Sequence, residues 1–166
     1  FGDDRGYFFE SFNQKTFEEA GITRPFVQDN QARSTFGVLR GLHFQKGLNA
    51  QAKLVRVLEG KVLDVVVDLR VGSPTYGKSY SIELSAENKL QLYVPRGFAH
   101  GYVVLSDTAE FFYKCDNFYS KADEGGIIFN DSSLNINWGI DLTKAVLSDK
   151  DKILPTMEEH EDCFWI

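Results

Sequence analysis

The stretch Gly37-Val38-Leu39-Arg40-Gly41-Leu42-His43-Phe44-Gln45 carries the residue types for chemistry. A strand built only for packing does not usually hold Gly, Arg, Gly and His so close together. Arg40 offers a planar fork of N–H donors suited to phosphate or carboxylate, and His43 exchanges its proton near neutral pH. Glycine within such a run lets something approach the backbone closely. The run therefore predicts a site that holds an anion and moves a proton.

The elements that must position these groups are short strands. Residues 61–70 are the clearest, with Leu63, Val65, Val67 and Leu69 on one face and Val62, Asp64, Val66 and Asp68 on the other. That alternation makes one oily face and one partly polar face. Residues 26–32 embed Gln28, Asp29 and Asn30, which suits either an edge strand or a ligand-facing one. Residues 7–12, 53–58, 80–84, 90–94, 102–105, 109–115, 127–129 and 134–138 supply further strand candidates. Asn13 is placed to cap a helix over 14–20 that Gly21 ends, and a second short helix is expected around 149–154. Many short strands divided by Gly, Pro and Asp turns, without repeated helical crossovers, predict an antiparallel sandwich or barrel. Strands with one mixed face suit a barrel that holds a ligand inside.

The composition bounds the partners. At 166 residues the chain is long enough for a single domain with a sizeable core, and 14 Phe, 7 Tyr and 2 Trp favour strands. A formal net charge of −6 argues against a nucleic-acid backbone, although a few arginines in a cleft still attract a small anion. Two cysteines, Cys115 and Cys163, suggest no disulfide framework and fit a reduced, cytoplasmic setting. No apolar run is long enough to cross a bilayer and no signal peptide is visible. The sequence opens on Phe1 rather than Met, so upstream residues are expected to be missing.

Pro95-x-Gly97-x-x-His100 resembles the second motif of the cupin jelly rolls. Their first motif needs a His-x-His pair with a following Glu as metal ligands, whereas this chain has His43-Phe44-Gln45. The third histidine, His160, lies in the tail, so the resemblance implies a cupin without a metal. Longer matches narrow it further. They are Phe1-Gly2-Asp3-Asp4-Arg5-Gly6, Val27-Gln28-Asp29-Asn30, the Arg40/His43 run and Lys53-Leu54-Val55-Arg56, then Ser73-Pro74-Thr75, Leu84-Ser85-Ala86-Glu87-Asn88, Gly97-Phe98-Ala99-His100-Gly101 and Tyr113-Lys114. On these the chain resembles the dTDP-4-dehydrorhamnose 3,5-epimerase family from residue 1 to about 155, with a weaker match over 139–166. The family normally begins earlier with another strand.

The resemblance implies an all-β, antiparallel jelly-roll (cupin-like) barrel with few short helices, occupying 1–166 with a C-terminal tail over 139–166. It implies inversion at C3 and C5 of a dTDP-4-keto-6-deoxy hexose through an enolate at O4, with no cofactor. His43 resembles the base, Tyr113 the acid on the opposite ring face, Lys53 the cation beside O4, and Asp151 the carboxylate paired with the histidine. Arg5, Glu10, Gln28, Asn30, Arg40, His100, Glu124 and Lys150 match positions that contact the nucleotide-sugar, and Tyr119 one that stacks on thymine. Arg5 and its neighbours reach the family's site from a second subunit, so a homodimer is implied.

Plainer roles stand beside each of these. His43 and Tyr113 also suit core positions, Lys53 a solvated strand entry, and the remaining charged residues a solvated surface. Asp151 also completes a capping-box pattern with Ser148, and Asp149 lies close by. For the whole chain the competing functions are a single-centre epimerase or ketoisomerase, a non-catalytic sugar-nucleotide-binding barrel, and a metal-dependent cupin oxygenase.

Overall fold

The computed structural model describes residues 1–165. A small hairpin of β1 (Gly2–Asp3) and β2 (Gly6–Tyr7) precedes helix α1 (Gln14–Glu19). The strands that follow are β3 (Gln28–Thr35), β4 (Leu39–Gln45), β5 (Lys53–Glu59), β6 (Lys61–Asp68) and β7 (Arg70–Val71). After them come β8 (Ser79–Ser85), β9 (Gln91–Val94), β10 (Phe98–Val104), β11 (Thr108–Cys115), β12 (Glu124–Gly126) and β13 (Phe164–Trp165). Two antiparallel sheets form, one ordered β12-β4-β10-β6-β8 and the other β3-β11-β5-β9. This is the antiparallel all-β arrangement with little helix that the turn spacing predicts, in the jelly-roll form that the resemblance implies.

The alternation in β6 explains how the layers assemble. Its Val62 joins Leu84, Tyr102 and Val104 of the first sheet against Val55, Val57 and Phe111 of the second, forming the core between the sheets. Its Val65 and Val67 point the other way, with Leu39, Leu42 and Val103, and are covered by Ile127, Phe129 and Trp138. The oily face of β6 thus lies under the C-terminal segment, while the mixed face carries Asp64 inward. Burying one large apolar side chain such as Phe111, 1% exposed, stabilises by about 1.5–3 kcal/mol.

Several predicted elements change. The strand expected over 7–12 shrinks to Gly6–Tyr7, and Phe12 instead packs its ring 5.1 Å from Phe17 and 5.5 Å from Phe26. Ile127, Phe129, Leu134 and Trp138 are buried without lying in strands, and Trp138 donates its indole N–H to the Phe129 carbonyl at 2.8 Å. Burial and backbone pairing are separate conditions: Ile127 still exchanges both backbone bonds with Leu42 of β4 at 2.9 and 3.1 Å, whereas Ile128 turns to the Pro155 carbonyl and leaves the sheet. The helix expected over 149–154 is a 3-10 turn at Asp151–Ile153. Asn13 caps α1 as predicted, accepting from the Lys15 backbone N–H at 3.1 Å, and Gly21 follows with φ +90°.

Candidate active site

Arg40 and His43 are three residues apart, which in a regular strand puts two side chains on opposite faces. The pairing of β4 with β10 is irregular here: His100 faces His43 and Tyr102 faces Arg40, so two residues of β4 oppose Gly101 alone. This bulge turns both Arg40 and His43 inward. It requires glycine, since Gly41 has φ +124° and a Cβ there would lie 2.6 Å from the Gly101 Cα. The close approach expected of a glycine in this run is therefore made by the neighbouring strand.

The inward side chains surround a cavity of about 320 Å³ whose lining includes Arg40, His43, Lys53, His100, Tyr113 and Asp151. A second hollow of about 240 Å³, lined by Gln28, Asn30, Tyr119 and Glu124, also reaches His43, Lys53 and Tyr113. Three of the four residues expected to do chemistry thus sit at the junction of two spaces, and Asp151 backs one of them.

His43 Nε2 lies 2.5 Å from Asp151 Oδ1, with the histidine side chain 26% exposed and the aspartate 3%. Burial opposes ionisation of Asp151, but the hydrogen bond and charge of His43 outweigh it and hold the carboxyl below its usual range. The alternatives for this carboxylate now separate. Asp149 is exposed and pairs with Lys152 at 2.9 Å, while Asp151 keeps both of its expected bonds, its backbone N–H donating to Ser148 Oγ at 3.2 Å.

Lys53 and Tyr113 project from adjacent strands, the Lys53 Nζ 5.8 Å from the Tyr113 ring centroid. Desolvation lowers the Lys53 pKa, with Cys115, Asp64 and Glu124 opposing. Desolvation also pushes the Tyr113 hydroxyl up to about 12, so it stays a neutral donor through the physiological range. The result is a cation and an O–H aimed at one space from the wall opposite His43.

The binding candidates divide. Glu124 accepts from Lys150 at 2.5 Å and from the Tyr119 hydroxyl at 3.2 Å, tying two of them together. Gln28 accepts from the Tyr119 backbone N–H at 3.1 Å and donates to Asn30 at 3.2 Å. Both readings of β3 hold, since it is an edge strand and its Gln28 and Asn30 line a hollow. Arg40 donates to Ser34 Oγ at 3.2 and 3.4 Å. Arg5 is not brought in: it pairs with Asp3 at 2.5 Å, its side chain 90% exposed, in a separate hollow with Phe1, Tyr7 and Phe8. Glu10 is exposed on the same N-terminal segment.

Sequence reasoning missed Asp64, whose two carboxylate oxygens each lie 3.0 Å from His100 Nε2. The available signal was a carboxylate at an inward position of an otherwise apolar strand. Among the described residues, no group of three or more His, Cys, Asp or Glu side chains is arranged to hold a metal ion, and no helix is long and apolar enough to cross a membrane.

The family model described as dTDP-4-dehydrorhamnose 3,5-epimerase matches residues 1–159. The chain is 60% identical over 152 residues to a dTDP-4-dehydrorhamnose 3,5-epimerase of Shigella flexneri, covering 91% of this chain and 83% of that protein. Its structure matches a crystal structure of dTDP-4-dehydrorhamnose 3,5-epimerase from Elizabethkingia anophelis with TM-score 0.93 at 61% identity, covering 96% and 87% of the two chains. It also matches dTDP-6-deoxy-D-glucose-3,5-epimerase from Legionella pneumophila in complex with dTDP-4-keto-L-rhamnose. That TM-score is 0.93 at 48% identity, with 97% and 85% covered.

Proposed function

The chain belongs to the dTDP-4-dehydrorhamnose 3,5-epimerase family, and from that premise we propose how its cavity converts dTDP-4-dehydro-6-deoxy-D-glucose to dTDP-4-dehydro-L-rhamnose. The enzyme is an isomerase. Both inverted carbons flank the C4 ketone, so loss of either C–H proton leaves an enolate whose charge rests on O4. The chemistry needs a base on one ring face, an acid on the other and positive charge near O4.

His43 takes the proton, with Asp151 fixing the imidazole and stabilising the imidazolium that forms. Lys53 faces the developing charge on O4 in a space shielded from water, where a cation acts more strongly than in solvent. Tyr113 returns a proton from the opposite face, the enolate collapses to the ketone, and bulk water reprotonates the phenolate and deprotonates His43. The observation that carries this mechanism is the 2.5 Å His43–Asp151 contact facing Lys53 and Tyr113 across one cavity.

The paired hollows suit a two-part ligand, with the sugar against His43, Lys53, His100 and Tyr113. Arg40 and Lys150 bind the diphosphate, and Tyr119, with Gln28, Asn30 and Glu124, receives the thymidine. We further infer that this single-domain protein acts as a homodimer in which Arg5 and Glu10 complete the partner's site. Support comes from their position away from their own cavity, on a segment exposing Phe1, Tyr7 and Phe8 at 99%, 66% and 72%. The free thiols Cys115 and Cys163 favour a cytoplasmic setting.

The test is NMR of dTDP-4-keto-6-deoxyglucose incubated with the protein in deuterated water. Deuterium at C3 and C5 with a 4-keto-L-rhamno product is expected. Label at one carbon alone would make the protein a single-centre epimerase. Tight binding without label would remove all four catalytic assignments together.

A further inference from the structure

Tyr102 lines the same cavity as Arg40 and His43, yet its hydroxyl has no part in the chemistry above. That oxygen is shielded from solvent and makes no well-formed hydrogen bond, although Ser34 and Arg40 are polar neighbours. The residue is 5% exposed, and its ring stacks on Phe111 with centroids 4.1 Å apart and planes 17° apart, so the phenol is fixed in place. An unpaired hydroxyl held away from water is destabilising, and phenylalanine would pack the same ring without that penalty. Packing accounts for the ring and leaves the oxygen unexplained.

Its neighbours say what the oxygen can recognise. In the sheet register Tyr102 stands opposite Arg40 on β4 and opposite Asp64 on β6, so the three form a row across the inner face. Arg40 is exposed, and its guanidinium rests on the neutral Ser34 hydroxyl, which leaves its charge available to an anion. Desolvation raises the Tyr102 pKa against the charge of Arg40 and the nearby Ser34 and Arg40 donors, so the group is a neutral donor at physiological pH.

We propose that Tyr102 is a specificity-determining residue whose hydroxyl donates to the anionic diphosphate that Arg40 binds, a hydrogen bond made only in the liganded state. Arg40 swings off Ser34 to meet the anion, which opens the inner end of the cavity to the phenol. The proposal rests on the nucleotide-diphosphate assignment made above.

The test is Tyr102→Phe, which removes one oxygen and keeps the stacked ring. Binding of dTDP is measured by calorimetry, and melting is measured without ligand. The Kd for dTDP is expected to weaken about three- to tenfold, while the unliganded melting temperature holds or rises. An unchanged Kd overturns the proposal. So does a weaker Kd accompanied by a lower melting temperature, since the hydroxyl would then belong to the fold. In an Arg40→Lys background the Tyr102→Phe loss is expected to shrink, because both groups touch one anion, and strictly additive losses overturn the shared-anion assignment. Should the wild type exchange no deuterium from the 4-keto sugar yet bind dTDP with the Tyr102→Phe loss, the epimerase function falls and this assignment stands. Should turnover be normal and Tyr102→Phe bind dTDP as the wild type does, this assignment falls alone.

Discussion

The cavity contains two histidine–carboxylate pairs that differ in construction. His100 and Asp64 come from neighbouring strands of one sheet, are 6% and 0% exposed at their side chains, and meet at 3.0 Å through both carboxylate oxygens. His43 is more open, and its carboxylate arrives from a turn 108 residues later in the chain. The first pair is braced by the sheet and shielded from solvent. The second is accessible to a ligand and depends on a segment docking from outside the sheet. A buried pair with both ends fixed serves to orient, whereas an accessible one can exchange protons with what enters the cavity. Residue type alone does not separate these jobs; the position of the carboxylate does.

Breaking the exposed pair is expected to give the largest effect. His43→Ala should lower turnover by about 10²–10⁴-fold while leaving dTDP affinity nearly intact, measured by NMR turnover and calorimetry. A variant turning over near the wild-type rate would remove His43 from the chemistry. Asp151→Asn should lower turnover by about 10²-fold with little loss of stability, measured by NMR turnover and thermal melting. A variant turning over at the wild-type rate would detach Asp151 from the chemistry.

The braced pair should respond the other way. Asp64→Asn is expected to cost about 1–3 kcal/mol of unfolding free energy, with KM moving more than kcat. A pure loss of kcat without loss of stability would make the two pairs alike. A pH profile sharpens the contrast further. Because burial lowers the Lys53 pKa, turnover should decline at a pH below the ordinary lysine value of about 10.4, and Lys53→Arg should move that decline upward. Tyr113, pushed up to about 12, stays protonated across that interval.

The smallest effect is on acid stability. The Asp151 pKa is depressed in the folded protein, so its contribution is complete above the unfolded carboxylate value of about 3.9 and is lost as pH falls through the folded value. Below that range the melting difference between wild type and Asp151→Asn should close.

Much of this was legible in the sequence where the local pattern and the tertiary use coincide. The alternation over 61–68 gives a strand because both faces are used, and Asn13 and Gly21 mark a helix by backbone chemistry alone. The Arg40/His43 run announces a site, but period-two logic puts the two side chains on opposite faces, and the bulge that reunites them is visible only in the pairing with β10. Asp64 was hidden because its partner, His100, lies diagonally across a strand pair whose register no local pattern prints. The strands expected over 127–129 and 134–138 are not formed beyond Ile127, because apolar content reports burial, and the chain there is held by bonds such as that of the Trp138 indole to the Phe129 carbonyl. Arg5 and Glu10 lie on an exposed segment away from the cavity of their own chain, where no local pattern places them.

The position of Asp151 has a consequence for synthesis. The last strand of the two large sheets ends at Gly126, so every ladder of the barrel is available to pair before Asp151 leaves the ribosome. Closing the chain from His43 to Asp151 then adds a long-range contact to an already ordered frame, where the loop entropy has largely been spent on the sheets. A nascent chain halted just before Asp151 would keep its sheets and the Trp138 cover yet lack the carboxylate that completes its base. Folding and competence are separate events on the timeline of translation, and the second waits for the tail.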